Sequence, residues 1–179
     1  MKEIKGDLIE LAKKGNFDVI THGCNCFCTM GAGIAVPMKL NFQCDQFPME
    51  DPKYKGSINK LGTIDFQTKF IVLNKPITIA GVTIEAPDFG GFPLIVVNSY
   101  TQYRYGRNHA DGDQNPVDYE AIAMCMRKIN HKFPGKKIGL PKIGAGLAGG
   151  DWDRIKTIIE NELKDMDVYI VIWDKPDKW

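Results

Sequence analysis

The chain has 179 residues, of which 44% are hydrophobic and 25% are charged, and its formal net charge is +1. These values are ordinary for one globular domain spanning residues 1–179, and they exclude a general electrostatic attraction to nucleic acid. The sequence lacks both the apolar run of about 18 residues that a membrane span needs and the apolar core of a signal peptide, so we expect a cytoplasmic protein with no membrane partner.

Short strand and helix patterns alternate along the chain. The predicted strands are Lys2–Lys5, Phe17–Thr21, Thr63–Leu73, Ile77–Ile84, Leu94–Tyr100, Lys137–Pro141 and Val168–Trp173. The predicted helices are Asp7–Lys14, Ala32–Phe42, Val117–Phe133 and Asp151–Asp165, with irregular connections at 43–62 and 101–116. Thr63–Leu73 and Ile77–Ile84 look like a hairpin or meander, whereas the unbroken apolar run Leu94–Val97 is typical of a strand buried on both faces. The alternation predicts an α/β fold, namely a three-layer α/β/α sandwich with a mixed, mostly parallel sheet.

The five cysteines predict a reducing compartment and no disulfide framework, because their number is odd and three of them lie between Cys24 and Cys28. A Cys-x-Cys-x-Cys run also suggests zinc. However, structural zinc sites space their ligands more widely and need a second cluster, which the three histidines do not supply. We therefore expect no metal and no cofactor, and we interpret these cysteines as small loop and core residues.

A first candidate ligand loop follows the strand that ends near Thr21. Small residues lead from there into the next helix through Gly31, Ala32, Gly33 and Ile34. Ligands of open α/β sheets bind at the carboxyl ends of parallel strands, and a helix that begins on small residues offers backbone N–H groups to an anion. This segment therefore predicts a binding loop for a phosphorylated ligand.

A second glycine-rich loop, from Pro141 to Trp152, also lies between a strand and a helix. Gly144, Gly146 and Gly149 formally match the G-x-G-x-x-G pattern of dinucleotide folds. That pattern normally opens a βαβ unit that further strands extend, whereas here only one helix and one strand remain. A plain β–α turn is the alternative, but the density of glycines favours a loop whose backbone closely approaches a phosphate.

Taken in order, these motifs resemble the macro domain family, the α/β/α module that binds ADP-ribose, over nearly the whole chain. Gly6-Asp7-Leu8-Ile9 resembles the segment that contacts adenine, and His22-Gly23-Cys24-Asn25 with Gly31–Ala35 resembles the loop around the distal ribose. Gly144–Gly150 is similar to the diphosphate loop. The resemblance implies substrate contacts from the following residues: Asp7, Leu8, Gly31, Ala32, Gly33, Ile34, Lys142, Gly144, Ala145, Gly146, Leu147, Ala148 and Gly149.

Within the family, the His-x-Cys-Asn-Cys form followed by Met30–Ala35 looks most like the ADP-ribose 1''-phosphate phosphatase branch. This implies hydrolysis of the terminal phosphate to give ADP-ribose and phosphate. A second similarity is to deacylating and de-ADP-ribosylating enzymes that carry a lysine nucleophile and an aspartate. The matching stretches here, Asn98–Gln102 and Gly146–Ala148, contain neither residue, which argues against that chemistry.

Three residues are the catalytic candidates. The family position of His22 implies a general acid or base, since a histidine of near-neutral pKa can exchange the proton of a leaving group or water. Asn25 would orient the distal ribose or the terminal phosphate, and Asp151 would act as an acid or orient water. Each has a structural alternative: a hydrogen-bonded strand-end histidine, a turn residue, and a helix N-cap. An N-cap is equally the alternative for Asp7, and a surface lysine for Lys142.

Other aromatic residues and other functions stay open at this point. Tyr100, Tyr103 or Tyr105 would stack on adenine or shield the ribose, although packing explains each of them as well. The same holds for Trp152.

A reader of ADP-ribose or ADP-ribosylated proteins needs the same cleft as a phosphatase. A mono-ADP-ribosyl hydrolase with another nucleophile is a further alternative. The segment 103–107 suggests RNA stacking, which the net charge and the nearby Asp111 and Asp113 disfavour.

Overall fold

The computed structural model describes residues 1–79, 82–106 and 116–173. The strands are β1 (Lys2–Lys5), β2 (Val19–Asn25), β3 (Ile64–Ile79), β4 (Val82–Gln102), β5 (Lys137–Leu140) and β6 (Asp167–Ile172). The helices are α1 (Leu8–Lys13), α2 (Ala35–Phe42), α3 (Tyr119–Lys132) and α4 (Trp152–Glu162), and four short 3₁₀ turns lie within 44–60. Arg107, Asp111 and Asp113, and with them most of the predicted 101–116 loop, lie outside the described residues.

The strands form one mixed sheet in the order β1-β6-β5-β2-β4-β3. Every neighbouring pair is parallel except β3 and β4, which are antiparallel. β2 lies between β5 and β4, with Ile20 opposite Gly139 on one side and Val96 on the other. The carboxyl ends of β2, β5 and β6 therefore meet at one edge of the sheet, where both predicted ligand loops begin.

Helices cover both faces of the sheet. Ile20, Leu94 and Val96 pack in one apolar cluster with residues of α1 and α2, whereas Val19 and Val97 pack in a second cluster with α3 and α4. Successive side chains of a strand lie on opposite faces, so an unbroken apolar run is what a doubly covered strand requires. The predicted three-layer α/β/α sandwich is confirmed.

The predicted strand Ile77–Ile84, and with it the hairpin or meander that it was expected to form with Thr63–Leu73, is wrong, because this run spans the end of β3 and the start of β4. β3 and β4 form one long hairpin, in which Ile77 pairs with Ile84 and Ile79 pairs with Val82. Asn74, Lys75 and Pro76 suggested a break, but β3 is an edge strand, where proline is tolerated. A register shift between Val72 and Asn74 accommodates the irregular sequence without ending the strand.

Two boundaries matter for the site. β2 continues to Asn25 rather than ending at Thr21, so His22 lies in a central strand. α2 begins at Ala35 rather than Ala32, which leaves the glycines before it in a loop where Gly33 has a φ of +58°. Pro37 lies in the first turn of α2, where its missing N–H group removes no hydrogen bond. The remaining helices and strands match the prediction to within three residues.

Candidate ligand-binding cleft

A cleft of about 910 Å³ opens at the edge of the sheet where β2, β5 and β6 end. Two segments form most of its wall: the first loop (residues 25–35) and the second loop (residues 141–150). The two loops approach each other closely, because a Cβ built on Gly33 would lie 3.4 Å from Cδ1 of Leu147. The predicted site residues that line the cleft are Asp7, Asn25, Gly31, Ala32, Gly33, Ile34, Lys142, Gly144, Ala145, Gly146, Leu147 and Ala148. Leu8, His22, Gly149 and Asp151 do not line it.

The Asn25 side chain holds the first loop in its conformation. Its Oδ1 accepts a hydrogen bond from the N–H of Phe27 (2.9 Å), and its Nδ2 donates to the carbonyl of Thr29 (2.8 Å). Both contacts close a tight turn in which Cys28 has a left-handed φ of +56°. Asn25 thus acts as a turn residue, which was the structural alternative to a role in binding, and it also borders the cleft.

The first loop leaves several backbone donors without a protein partner. Within the described part of the chain, the N–H groups of Gly31, Ala32, Gly33 and Ile34 donate to no protein acceptor. These are the donors that precede and open α2, where the helix dipole also favours negative charge. All four residues line the cleft, so their N–H groups are available to an anionic ligand.

The second loop has the same property, and its glycines allow it to fold tightly. Gly144 and Gly149 have φ values of +76° and +70°, and the N–H of Gly150 donates to the carbonyl of Gly144 at 2.8 Å. Among the described residues, the N–H groups of Gly144, Gly146, Leu147 and Ala148 donate to no protein acceptor. A Cβ added to Gly146 would meet nothing within 4 Å, so this part of the loop borders open space.

Asp7 both caps α1 and lines the cleft. Its Oδ1 caps α1 by accepting from the N–H groups of Ile9 (2.8 Å) and Glu10 (3.3 Å). The residue also lines the cleft at the end near β6, together with Val171 and Ile172. Leu8, its neighbour, packs in the core with 3% of its surface exposed and does not reach the cleft.

Gly149 and Asp151, at the end of the second loop, do not line the cleft. Oδ1 of Asp151 accepts hydrogen bonds from the N–H groups of Asp153 (2.9 Å) and Arg154 (3.4 Å), so it is the N-cap of α4. Lys142 does line the cleft, and its Nζ lies 5.4 Å from the centroid of the Trp152 ring. The structure therefore assigns Asp151 a capping contact, and its water-orienting role remains a prediction.

The His22 ring lies in the core rather than in the cleft. The residue is fully buried, and Nε2 lies 2.9 Å from Oδ1 of Asn98. Because Nδ2 of Asn98 donates to the carbonyl of Cys44 (2.9 Å), its Oδ1 must face His22, and Nε2 must carry the proton. The thiols of Cys24 and Cys44 lie 3.6 and 3.7 Å from Nε2. Burial lowers the pKa of His22 to about 4, so the ring is neutral at pH 7.

This burial predicts a pH dependence of stability. Between pH 6.5 and about 4 the unfolded chain protonates His22 and the folded chain does not, so we expect the free energy of unfolding to fall as the pH falls through this window. The loss attributable to His22 should approach about 3 kcal/mol at its lower end. Denaturant titrations of the wild type and His22→Gln measure it as a difference, and equal pH slopes for the two proteins would contradict it.

Several cleft residues were missed by sequence reasoning. Trp173, Val171 and Ile172 line the cleft from the end of β6, and Gln102 lines it from the end of β4. The sequence did carry a signal for them, because residues that end neighbouring parallel strands share one edge of the sheet. Of the three tyrosines considered, Tyr105 lines the cleft. Tyr100 is buried with its hydroxyl on Glu50, and the Tyr103 hydroxyl donates to the carbonyl of Gly56.

No helix in the described ranges is long and apolar enough to cross a membrane. The same residues contain no group of three His, Cys, Asp or Glu side chains placed to hold a metal ion.

Comparison with known proteins finds relatives in sequence and in structure. The chain is 30% identical over 182 aligned positions to an uncharacterised 17.5 kDa protein of Enterobacteria phage T4, encoded in the tk-vs intergenic region, and the match covers 97% of each chain. It is 25% identical to an ADP-ribose 1''-phosphate phosphatase of Candida albicans, with 94% of this chain and 97% of the relative covered. Among solved structures, the macrodomain of DarG from Thermus aquaticus superposes with a TM-score of 0.56 at 16% identity, covering 97% of both chains. No protein-family model matches the chain.

Proposed function

We propose that this chain, which belongs to the macro domain family, binds ADP-ribose derivatives in the cleft between the first and second loops. The observation that carries this proposal is the set of unpartnered backbone N–H groups that both loops contribute to one cleft. Such groups at a helix start and in a glycine-rich turn bind phosphate oxygens. A diphosphate between the loops would be held from both sides.

The composition of the cleft supports this mode of binding. Lys142 is the one basic residue and Asp7 the one acidic residue among the described residues that line it. Backbone dipoles must therefore provide most of the stabilisation of the diphosphate. The apolar end near Val171, Ile172 and Trp173 suits the adenine base, and Asp7 borders that end with a carboxylate that can accept from the adenine amino group.

We further infer that the ligand is a substrate, and that the chain hydrolyses the terminal phosphate of ADP-ribose 1''-phosphate without a metal ion. The name of the Candida albicans relative supports this reaction. A water oxygen would bond to phosphorus, the bond from phosphorus to the ribose oxygen would break, and that oxygen would take up a proton. Phosphoryl transfer of this kind depends mainly on positioning and charge stabilisation, which the loop N–H groups can supply.

A non-catalytic reader of ADP-ribose or ADP-ribosylated proteins is the second candidate. The observation in its favour is that His22 and Asp151 do not line the cleft, so neither side chain reaches a ligand bound there in this conformation. Asn25 does line it, but both polar atoms of its side chain already make hydrogen bonds within the first loop. A mono-ADP-ribosyl hydrolase would have to use another nucleophile or water, because the matching stretches lack the lysine and aspartate of the lysine-dependent enzymes.

Two measurements on the purified chain separate these functions. Calorimetry should detect ADP-ribose binding, and phosphate release from ADP-ribose 1''-phosphate should proceed at an equal rate with and without EDTA. Binding without phosphate release would reject the phosphatase and retain the reader, whereas loss of turnover in EDTA would reject the metal-free mechanism. His22→Gln, with folding checked by circular dichroism, then tests the acid–base role: unchanged turnover would remove His22 from the reaction.

A further inference from the structure

A buried lysine lies against a cysteine of the first loop. Nζ of Lys60 is 3.2 Å from Sγ of Cys28, and the Lys60 side chain has only 2% of its surface exposed. Its other neighbours are Glu50, whose Oε1 is 3.6 Å away, and Tyr100, whose ring centroid is 4.3 Å away. The amine is thus fixed at near-contact distance from the sulfur by the carboxylate and the ring.

Cys28 differs from the other cysteines in ways that favour chemistry at its sulfur. It is partly exposed, whereas Cys24, Cys26, Cys44 and Cys125 are buried. Burial raises the pKa of those four thiols, to about 11 for Cys26 and about 12 for Cys44 and Cys125. Reaction with peroxide needs an accessible sulfur, and of the five cysteines Cys28 is the one that is partly exposed, with a lysine amine 3.2 Å from its sulfur.

We propose that Cys28 and Lys60 form a covalent sulfur–nitrogen linkage when the chain is exposed to hydrogen peroxide. The linkage would tie the turn between Asn25 and Thr29, which borders the cleft, to the 3₁₀ turn Ile58–Lys60. This proposal does not depend on which ligand the cleft binds. Neither side chain belongs to the cleft wall, so this is a modification site separate from the ligand site.

The chemistry balances in two steps. In the first, the Cys28 thiol attacks one oxygen of hydrogen peroxide, the O–O bond breaks, and the departing hydroxide takes up the thiol proton and leaves as water, so that the sulfur becomes a sulfenic acid. In the second, the Lys60 ammonium group gives one proton to Glu50, the resulting amine attacks the sulfur, and the S–N bond forms as the S–O bond breaks. The sulfenic hydroxyl takes up one amine proton and leaves as a second water. Glu50 is placed to take the proton from the lysine, and burial raises the pKa of its carboxyl, which favours that transfer. The product has two hydrogens fewer than the reduced chain.

Peptide mapping of the native protein tests the linkage directly. Wild type is treated with hydrogen peroxide, its free thiols are alkylated, and it is digested with trypsin without reductant. We expect cleavage after Lys60 to be lost and residues 15–39 to appear joined to residues 56–69, at the summed mass less two hydrogens. Dithiothreitol should separate the peptides again, because thiols cleave S–N bonds of this type. Peroxide treatment in denaturant should give no joined peptide, since only the fold brings the two atoms together.

Variants assign the sulfur, and a disulfide cannot produce the joined peptide because residues 56–69 contain no cysteine. Cys28→Ser should abolish the joined peptide, whereas Cys26→Ser, two residues away, should retain it. Cys125 should be alkylated in every sample, which would show that its thiol has formed no disulfide. The proposal is overturned if oxidised wild type is still cut after Lys60, with Cys28 in a disulfide or converted to sulfinic or sulfonic acid.

Discussion

Gly146→Val should weaken ADP-ribose binding by about 100-fold and leave the midpoint of thermal unfolding unchanged. A Cβ at Gly146 meets no protein atom within 4 Å, so the added side chain costs the fold little and occupies the space in front of the second loop. Displacing a diphosphate from a few charge-assisted N–H contacts costs about 3 kcal/mol, which corresponds to that loss of affinity. Calorimetric titration with ADP-ribose measures it, and Gly146→Ala should give a smaller loss.

Gly31→Val provides the matched test from the opposite wall. Gly31 also borders open space, and no left-handed φ constrains it. If both loops hold the diphosphate, the two variants should lose affinity to a similar extent. Full affinity in either variant, with the other impaired, would show that the ligand rests on one loop alone and would contradict the two-sided cleft.

Lys60→Met should produce the largest loss of stability of any single change considered, about 3–5 kcal/mol in the free energy of unfolding. The Lys60 and Glu50 side chains are each only 2% exposed, so removing the cation leaves a buried carboxylate whose remaining hydrogen bond comes from the Tyr100 hydroxyl (2.6 Å). Urea titration measures the loss. Arg127→Met, which breaks an exposed ion pair with Glu162, is the control and should change stability little.

The cause can be separated from simple misfolding by a second substitution and by pH. Glu50→Gln combined with Lys60→Met removes the unpaired charge and should recover much of the lost stability. Burial raises the pKa of Glu50 and the Lys60 charge opposes this rise, so removing Lys60 should raise the pKa of Glu50 further. Between the ordinary pKa and the raised one, the folded chain binds more protons than the unfolded chain, and this difference should be larger in Lys60→Met than in wild type. The stability of Lys60→Met should therefore rise relative to wild type as the pH falls from 7 to 5. A deficit that is independent of pH would contradict this account.

The helices and most of the strands could be predicted because their signals are local. Apolar periodicity placed α3 and α4, and the unbroken run Leu94–Val97 indicated a strand covered on both faces, which the two apolar clusters confirm. The hairpin was mispredicted because Asn74, Lys75 and Pro76 carry turn propensity that pairing across β3 and β4 overrides. Propensity is a weak guide where a partner strand supplies the hydrogen bonds.

The parts of the cleft that glycine-rich backbone forms were predicted from the sequence. The side chains that burial removes from the cleft were not. Glycines that need left-handed φ values, such as Gly144 and Gly33, mark the two loops in the sequence itself. The extension of β2 to Asn25 was not visible, because His22, Gly23 and Cys24 have no strand periodicity of their own. That extension puts the His22 ring against Asn98, and so moves it out of the cleft.

By itself, the sequence determined that this protein is an α/β sandwich with two glycine-rich loops at the ends of parallel strands, since periodicity and glycine spacing are properties of short segments. Only the tertiary structure decided which side chains reach the cleft, because that depends on strand register and on contacts between residues far apart in the chain. It buried His22 and brought Lys60 within 3.2 Å of Cys28 across 32 residues of chain. Each of these outcomes follows from packing, which no local pattern records.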